Sequence, residues 1–479
     1  MTTIEQVEPS AWRSTIERAL ANGERFASAW ATERDSQLGW RALLVDPRGT
    51  RALSCDPAGG AIDTIADLIP AANWDEREAH DLYGLRFTGH EPMRGLVTHS
   101  DDPAQWMTPV HGDGVHQVAV GPIHAGVIES GHFRFHVVGE RILAMDPRLF
   151  YKHRGLERAA EGVSPKHALP YLQRACAACA VTNTVAYAQA VEDAFGLQPD
   201  DDLRVNRTVL LELERVYNHL HDIGAICAGV GFAPGSMAFA ALKDHAQQTI
   251  AAAFGHRFLF GTIAIGAEAA TLDATDADTL KASLNELRTE FTAAWRELEF
   301  TASLQARLDG VGVLTADKAA HFGAVGPAAR AAGIREDVRT HSPQLAYDGF
   351  EPAVLPAPPG PTGDVGARLR LRAVELDASF DLLDERLAQP LAQGATLATS
   401  AADTERPCGA RFGAGRVESP RGATTCVVEL TGDVIARVHL RTGSYANWPA
   451  LVHATAGNLL PDFPLINKSF ELCYACVDR

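Results

Sequence analysis

The sequence predicts an α+β protein in two parts, a small N-terminal α+β unit and a larger, mainly helical one. Three observations carry this prediction. Residues 1 to about 95 mix short alternating stretches with helical ones, and a polar stretch from Glu91 to Gly114 follows them. Beyond about residue 144, apolar residues recur at three- and four-residue steps over long segments. A boundary near residue 108 gives a first unit with its linker, 1–108, and a second unit, 109–479.

In the first unit Trp12 to Ala21 and Ile62 to Ile69 have helical spacing, whereas Trp40 to Val45 and Thr50 to Cys55 alternate as strands do. Past the linker, Val115 to Ala144 has strand character, with turn signals at Gly121-Pro122 and Gly139-Glu140. The clearest helix is Asp276 to Leu308, where Leu280, Leu284, Leu287, Phe291, Trp295 and Leu298 line one apolar stripe. Helices are also predicted at 168–194, 207–230, 237–264 and 364–388. Leu355 to Gly363 is rich in proline, which removes donors and fixes φ, so it reads as a loop. Strands return from Gly415 to Leu440.

With 479 residues, 46% of them apolar, the chain can bury a large core. Its net charge of −17 argues against a nucleic-acid partner, because phosphate binding needs a dense Lys/Arg field. The longest apolar run, Phe258 to Leu272, falls short of the ~18 residues a membrane span needs. The first residues are polar and lack the hydrophobic core of an export signal. The chain is therefore expected in the cytoplasm, with membrane contact made through partners.

Eight cysteines lie at 55, 176, 179, 227, 408, 426, 473 and 476, and four of them form two Cys-x-x-Cys pairs. Each pair can present two thiolates to one metal, since that spacing brings both sulfurs to one side of a turn or helix start. Soft sulfur ligands suit zinc, an iron-sulfur cluster, or nickel with iron, and softness alone does not choose among these. Two unrelated pairs is a further reading. Structural zinc pairs usually lie about 15–20 residues apart. Here nearly the whole second unit separates them, which favours a site assembled by the completed fold.

The residues around the second pair, Asp462-Phe-Pro-Leu-Ile-Asn-Lys-Ser-Phe470, Cys473-Tyr-Ala-Cys476 and Asp478-Arg479, resemble the carboxy-terminal metal-binding motif of nickel-iron hydrogenase large subunits of the membrane-complex, formate-hydrogenlyase and hydrogenase-4 type. Glu418-Ser-Pro-Arg421-Gly422 and Ser444-Tyr-Ala-Asn-Trp-Pro449 fit the same family. So do Gly121-Pro-Ile-His124, Glu129-Ser-Gly-His-Phe-Arg134, Tyr151-Lys-His-Arg-Gly155 with Glu157, and Leu213-Glu-Arg215 with Asn218-His219. In the first unit Pro70-Ala-Ala-Asn-Trp-Asp-Glu-Arg-Glu78, Asp81-Leu-Tyr-Gly84 and Gly89-His90 resemble the small hydrophilic complex I subunit beside the quinone-site subunit.

This resemblance implies a large-subunit fold akin to the complex I quinone-site subunit, behind a domain like the complex I 30 kDa subunit. Cys176 and Cys473 would be terminal nickel ligands, and Cys179 and Cys476 would bridge nickel to an iron bearing carbonyl and cyanide. Magnesium is a further candidate ion. Arg421 would lie over the open metal position as a fixed guanidinium that polarises hydrogen there. Glu129 would relay protons, because a carboxylate in a dry site is raised toward neutrality. The chemistry implied is 2H⁺ + 2e⁻ ⇌ H₂. Cys55, Cys227, Cys408 and Cys426 are too scattered for an electron relay, so an iron-sulfur small subunit is expected as a partner, with integral membrane subunits holding the assembly at the inner face of the membrane.

His124, His132 and His153 lack the spacing of a zinc chelate and read as structural or supporting residues. Trp74, Glu76 and Arg77 read as holding the first unit's fold or its docking surface. Two positions depart from the family pattern: Ala177 stands where glycine is usual, and Asn183 where histidine is usual. Asparagine can donate to a thiolate but carries no titrating proton near neutral pH. A competing reading is a metal-free coupling subunit like the quinone-site subunit of complex I. The presence of all four thiols weighs against it. Residues 1–95 are expected to dock as a separate unit that gives no atom to the metal centre, so that its removal leaves the thiolate geometry unchanged.

Overall fold

The computed structural model describes residues 2–34, 36–47, 49–124, 128–267, 269–357, 359–388 and 410–479; Cys408 lies outside them. The chain opens with β1 (Thr3–Gln6), α1 (Trp12–Ala21), β2 (Arg25–Arg34), β3 (Gln37–Asp46) and β4 (Gly49–Cys55). These form a sheet of order β1-β4-β3-β2, parallel only between β1 and β4. Trp12, Ile16 and Ala19 of α1 bury against Trp40, Ala42, Leu44 and Leu53, the inward positions of the alternating strands. The sheet's other face, with Trp30, Leu43, Val45 and Ala52, packs on Ala414 and Val427 of the larger unit.

The helix expected over Ile62 to Ile69 is not formed. Ile62 lies in β5 (Ala61–Asp63), and the residues after it turn. Ile62, Ile65 and Ile69 are all buried, which gives helix-like spacing without a helix. The amides at the start of this stretch are bonded elsewhere, Thr64 to the Thr88 carbonyl at 3.0 Å and Ile65 at 2.7 Å to Glu76 on α2 (Asn73–Tyr83), which also accepts from the Thr64 hydroxyl, so only a single turn closes over Ile65–Ile69. β6 (Arg86–Thr88) pairs with β5 in parallel. The polar stretch after it is packed along much of its length. Asp81 accepts from the amides of Leu96, Val97 and Thr98 at 2.7, 2.8 and 3.0 Å, and Leu96 and Met107 are buried.

Next along the chain comes an antiparallel sheet of β7 (His116–Val120), β8 (His132–Val138) and β9 (Arg141–Arg148). The helices follow: α3 (Leu156–Ala160), α4 (Pro165–Gln173), α5 (Ala180–Phe195), α6 (Asp201–Gly229), α7 (Ala233–Phe254), α8 (Ala274–Glu299), α9 (Ala302–Leu308), α10 (Ala316–His321), α11 (Gly326–Arg330) and α12 (Val365–Arg386). The stripe Leu280, Leu284, Leu287, Phe291 and Leu298 is buried as predicted, but the long helix breaks at Phe300 and Thr301 into α8 and α9. The segment predicted as one helix over 168–194 is likewise two, interrupted around the first cysteine pair. α7 stops ten residues before the expected 264, where Gly255 takes a left-handed φ of +76° and ends the helix. None of the described helices is long and apolar enough to cross a membrane.

The last part carries the sheet β10 (Ala410–Ser419), β11 (Gly422–Thr431) and β12 (Val434–Arg441), then α13 (Gly443–Thr455), α14 (Phe463–Phe470) and α15 (Tyr474–Asp478). β10 lies directly on α5 because it carries glycine where the two backbones meet. A Cβ at Gly413 would sit 2.1 Å from the Ala190 oxygen, and one at Gly415 2.1 Å from the Ala186 oxygen. That approach brings the β10–β11 hairpin turn, with Arg421, beside the N-terminal end of α5. A continuous apolar core joins this sheet to α5, α6, α8 and α12.

Candidate metal centre

The first cysteine pair occupies the break between α4 and α5. Cys176 is extended (φ −156°, ψ 135°), a 3₁₀ turn covers Ala177–Cys179, and α5 starts at once after Cys179. Alanine-rich sequence here favours helix, so the break needs holding. Glu214 on α6 takes up the orphan amides at the start of α5, accepting from Val181 at 2.7 Å and Thr182 at 3.0 Å, and also from the Thr182 hydroxyl. Asn218, one turn further along α6, donates to the Ala178 carbonyl between the two cysteines at 2.8 Å. Before the pair, the Arg154 guanidinium donates to the carbonyls of Arg174 and Ala175 at 3.2 and 2.8 Å.

The second pair lies where α14 ends and α15 begins. Glu471 turns the chain with a left-handed φ of +47°. The Cys473 amide then donates to Ser444 Oγ at 2.9 Å, and Thr442 Oγ1 donates to the Cys476 carbonyl at 3.3 Å, so the start of α13 carries both cysteines. Cys473 Sγ caps α15, accepting from the Cys476 amide at 3.3 Å. Asp478 accepts from the amides of Phe150 and Lys152 at 2.7 and 2.9 Å, which pins the far end of α15.

These supports bring the four predicted sulfurs together. Cys473 Sγ is 3.0 Å from Cys176 Sγ, and the sulfurs of Cys176, Cys179 and Cys476 lie within 4.8 Å of one another. Left to share protons among themselves, the other three thiols donate toward Cys176 and hold its pKa well below the usual thiol range. Cys179, Cys473 and Cys476 are pushed well above that range, first by the charge and hydrogen bonding of Cys176. Four such thiols ionise together only around a cation, so the donor set fits a soft metal centre. Cys55, Cys227 and Cys426 are buried elsewhere as small apolar groups.

Arg421 sits at the tip of the β10–β11 hairpin, where the Ser419–Gly422 pairing leaves a two-residue turn. Its guanidinium is fixed on three sides, donating to Asn218 Oδ1 at 2.6 Å, Asp222 Oδ1 at 2.8 Å and the Glu471 carbonyl at 3.0 Å. Burial opposes its charge, but Asp222 and then the Cys179 sulfur hold its pKa above the ordinary range. Glu129 is half-buried and accepts from the Ala475 amide, inside the second pair, at 2.6 Å. Burial raises its pKa. Asn183 directs its amide at Cys476 Sγ at 3.9 Å.

His124, His132 and His153 each bond a backbone carbonyl, of Gly131, Gly121 and Asp478 at 2.8, 3.1 and 2.7 Å. Trp74 packs edge-on to Tyr445 across the two units, Glu76 binds His90 at 2.6 Å, and Arg77 donates to the carbonyls of Arg94 and Gly95. Sequence reasoning assigned no role to Glu214, Asn218 and Asp222, or to Thr442, Ser444 and Arg154. The first three recur at four-residue steps on α6, a polar row along one face of the helix, and that spacing was the available signal.

Comparison with known proteins places the chain in a lineage. The model of the respiratory-chain NADH dehydrogenase 49 kDa subunit matches residues 230–408 and 407–479, that of the nickel-dependent hydrogenases residues 154–223, and that of the 30 kDa subunit residues 42–113. Formate hydrogenlyase subunit 5 of Escherichia coli is 31% identical over 87% of this chain and 76% of its own length. Hydrogenase-4 component G of the same organism is 31% identical over 87% and 75%. The solved archaeal membrane-bound sulfane sulfur reductase complex contains a chain of the same fold, with TM-score 0.69 and 23% identity, covering 78% of this chain and 100% of that one. The chain belongs to the family that joins nickel-dependent hydrogenase large subunits to the 49 kDa subunit of respiratory-chain NADH dehydrogenase. Within that family it resembles the formate hydrogenlyase and hydrogenase-4 large subunits, which it matches together with a 30 kDa-like N-terminal unit.

Proposed function

We propose that this chain is the catalytic subunit of a multisubunit nickel-iron hydrogenase that interconverts protons and H₂, exchanging electrons with an iron-sulfur small subunit. The observation that carries this reading is the gathering of Cys176, Cys179, Cys473 and Cys476 beneath a charged, fixed arginine and beside a half-buried carboxylate. Nickel with an iron bearing carbonyl and cyanide, when held by these sulfurs, supplies the redox chemistry. Cys176, Cys179, Cys473 and Cys476 would hold that centre.

The chain's own residues do the rest. Arg421 keeps its proton and presents a positive face that Asn218 and Asp222 prevent from swinging away. Glu129 is anchored by Oε2 to the Ala475 amide, which leaves Oε1 to hold a proton and pass it on. Its raised pKa brings it closer to working pH. Asn183 donates toward Cys476 without titrating, so it tunes that sulfur and moves no proton. We also infer two units divided near residue 108, and peripheral attachment to the inner face of the membrane through integral membrane subunits, as the membrane-associated naming of relatives supports.

Nickel and iron analysis of the purified complex, paired with H₂/D₂ exchange, tests the reading. The expected outcome is about one nickel per chain and measurable exchange, both lost in Cys473→Ser. A preparation with all partners present but free of nickel would instead identify the chain as a metal-free coupling subunit.

A further inference from the structure

The hydrogen bonds to the sulfurs of Cys176, Cys473 and Cys476 come from within the two pairs and from Asn183, and one buried ion pair ties the first 95 residues to the second pair. Glu78, on α2, accepts from Nη2 of Arg479, and both side chains are buried. The same guanidinium donates from Nη1 to Glu157 Oε1 at 2.9 Å and to the Leu440 carbonyl at 2.7 Å, and it lies 4.9 Å over the Tyr445 ring. Arg479 follows Cys476 by three residues. Its carbonyl accepts from the Arg154 amide at 2.9 Å, and Arg154 is the residue that grips the carbonyls just before Cys176.

We infer that Glu78 and Arg479 are positioning residues for the metal centre, through which the N-terminal unit braces the second cysteine pair against the first. This rests on the metal-centre reading above. The physical need is plain. α15 is five residues long, far too short to hold its shape alone, and two of the four thiolates depend on it. A guanidinium fork spanning carboxylates from two different elements fixes both the direction and the distance of that helix. Removing Glu78 leaves the buried guanidinium with Glu157 as its remaining carboxylate and takes away its tie to α2, while removing Arg479 leaves Glu78 buried without its cation. The expectation that the first 95 residues can be deleted with the thiolates undisturbed is thereby replaced: deletion removes Glu78 and should release α15.

Hydrogen exchange of residues 473–479, with nickel counted per chain, tests this in the intact complex. Glu78→Gln should speed exchange there about ten-fold or more while α1 and the central strands of the N-terminal sheet keep wild-type protection. Nickel per chain should fall. The double variant Glu78→Gln/Arg479→Gln should be no faster than the worse single one, because the pair shares one interaction. Arg13→Gln, which breaks the exposed pair with Asp67 in the same unit, should change nothing at 473–479. Arg479→Lys keeps the charge, loses the fork and leaves the N-terminal unit intact, so it should also speed exchange. Wild-type exchange in Arg479→Lys, or additive effects in the double variant, would overturn the brace even if Glu78→Gln unfolded its unit. Absence of nickel from the wild type would defeat the functional reading alone, since the exchange comparison does not depend on metal.

Discussion

At the scale of single residues, the proposed mechanism gives Arg421 a charge to keep and Glu129 a proton to move. Glu129→Gln preserves the shape and the bond from Ala475 but cannot relay a proton. Nickel content should stay at the wild-type level while hydrogen turnover drops about 10²-fold or more; full turnover would remove Glu129 from the proton path. Glu214 offers a pH test. Burial pushes its carboxyl up from an ordinary 4.5 to about 7, against the pull of Thr182 and the α5 amides. The folded chain therefore binds more protons than the unfolded one between those values, so stability should fall as pH rises from about 4.5 to about 7 and level off above. Glu214→Gln should flatten this part of the profile, measured as urea midpoints across the range. The cysteines could be read from sequence because their spacing is itself the chemical requirement. Glu214 and Asn218 fall inside the motif Leu213-Glu-Arg215 with Asn218-His219, but neither they nor Asp222 could be given a role, since a polar residue on a helix is ordinary until the fold shows what it faces.

Among the elements, periodicity located the long helices α5 to α8 and α12 together with α1, missed α2, α13 and most of the shorter helices, and failed at the breaks. α1 has the bounds its spacing predicts, while the segments over 168–194 and 276–308 each proved to be two helices. The first of these breaks is hidden by alanines, which favour helix locally, and is imposed by distant partners: Arg154 on the carbonyls before it and Glu214 on the amides after it. Ile62 to Ile69 erred the other way, because burial at three- and four-residue steps also suits a short strand followed by a turn. The approach of β10 to α5 gives an element-level prediction. Gly415→Ala would drive a methyl into the Ala186 carbonyl, and the strand or the helix must shift to admit it. A loss of ~2–3 kcal/mol in unfolding free energy is expected, and an unchanged denaturant midpoint would mean that β10 and α5 do not pack so closely in solution.

Over the whole molecule, buried ion pairs tie parts that the sequence shows as separate. Asp222 binds both Arg421 and Arg372, and Arg330 binds Glu375 and Glu418, so α6, α11, α12 and β10 meet through charge as well as through apolar packing. Such pairs add little net stability over an apolar core, but breaking one from one side is costly. Glu375→Gln should therefore cost more, ~3 kcal/mol or above, than Glu375→Gln measured in an Arg330→Met background. Equal costs in the two backgrounds, read from denaturation curves, would show that the two side chains do not depend on each other. None of these pairings could be read from sequence, because an arginine alone does not reveal which of many carboxylates it will meet.

The cysteine pairs that meet at 3.0 Å lie 297 residues apart along the chain. Closing a loop of that length costs roughly 5 kcal/mol of chain entropy beyond a fixed constant, and α5 to α14 must close it before the sulfurs can meet. Each Cys-x-x-Cys can nevertheless capture a thiophilic ion by itself as soon as it is made. An ion seized early by one pair would sit with two ligands instead of four and would have to be surrendered before the other pair arrived. For the proposed metal centre, timing thus becomes part of the specification: the metals are best delivered to a chain whose long loop is already closed.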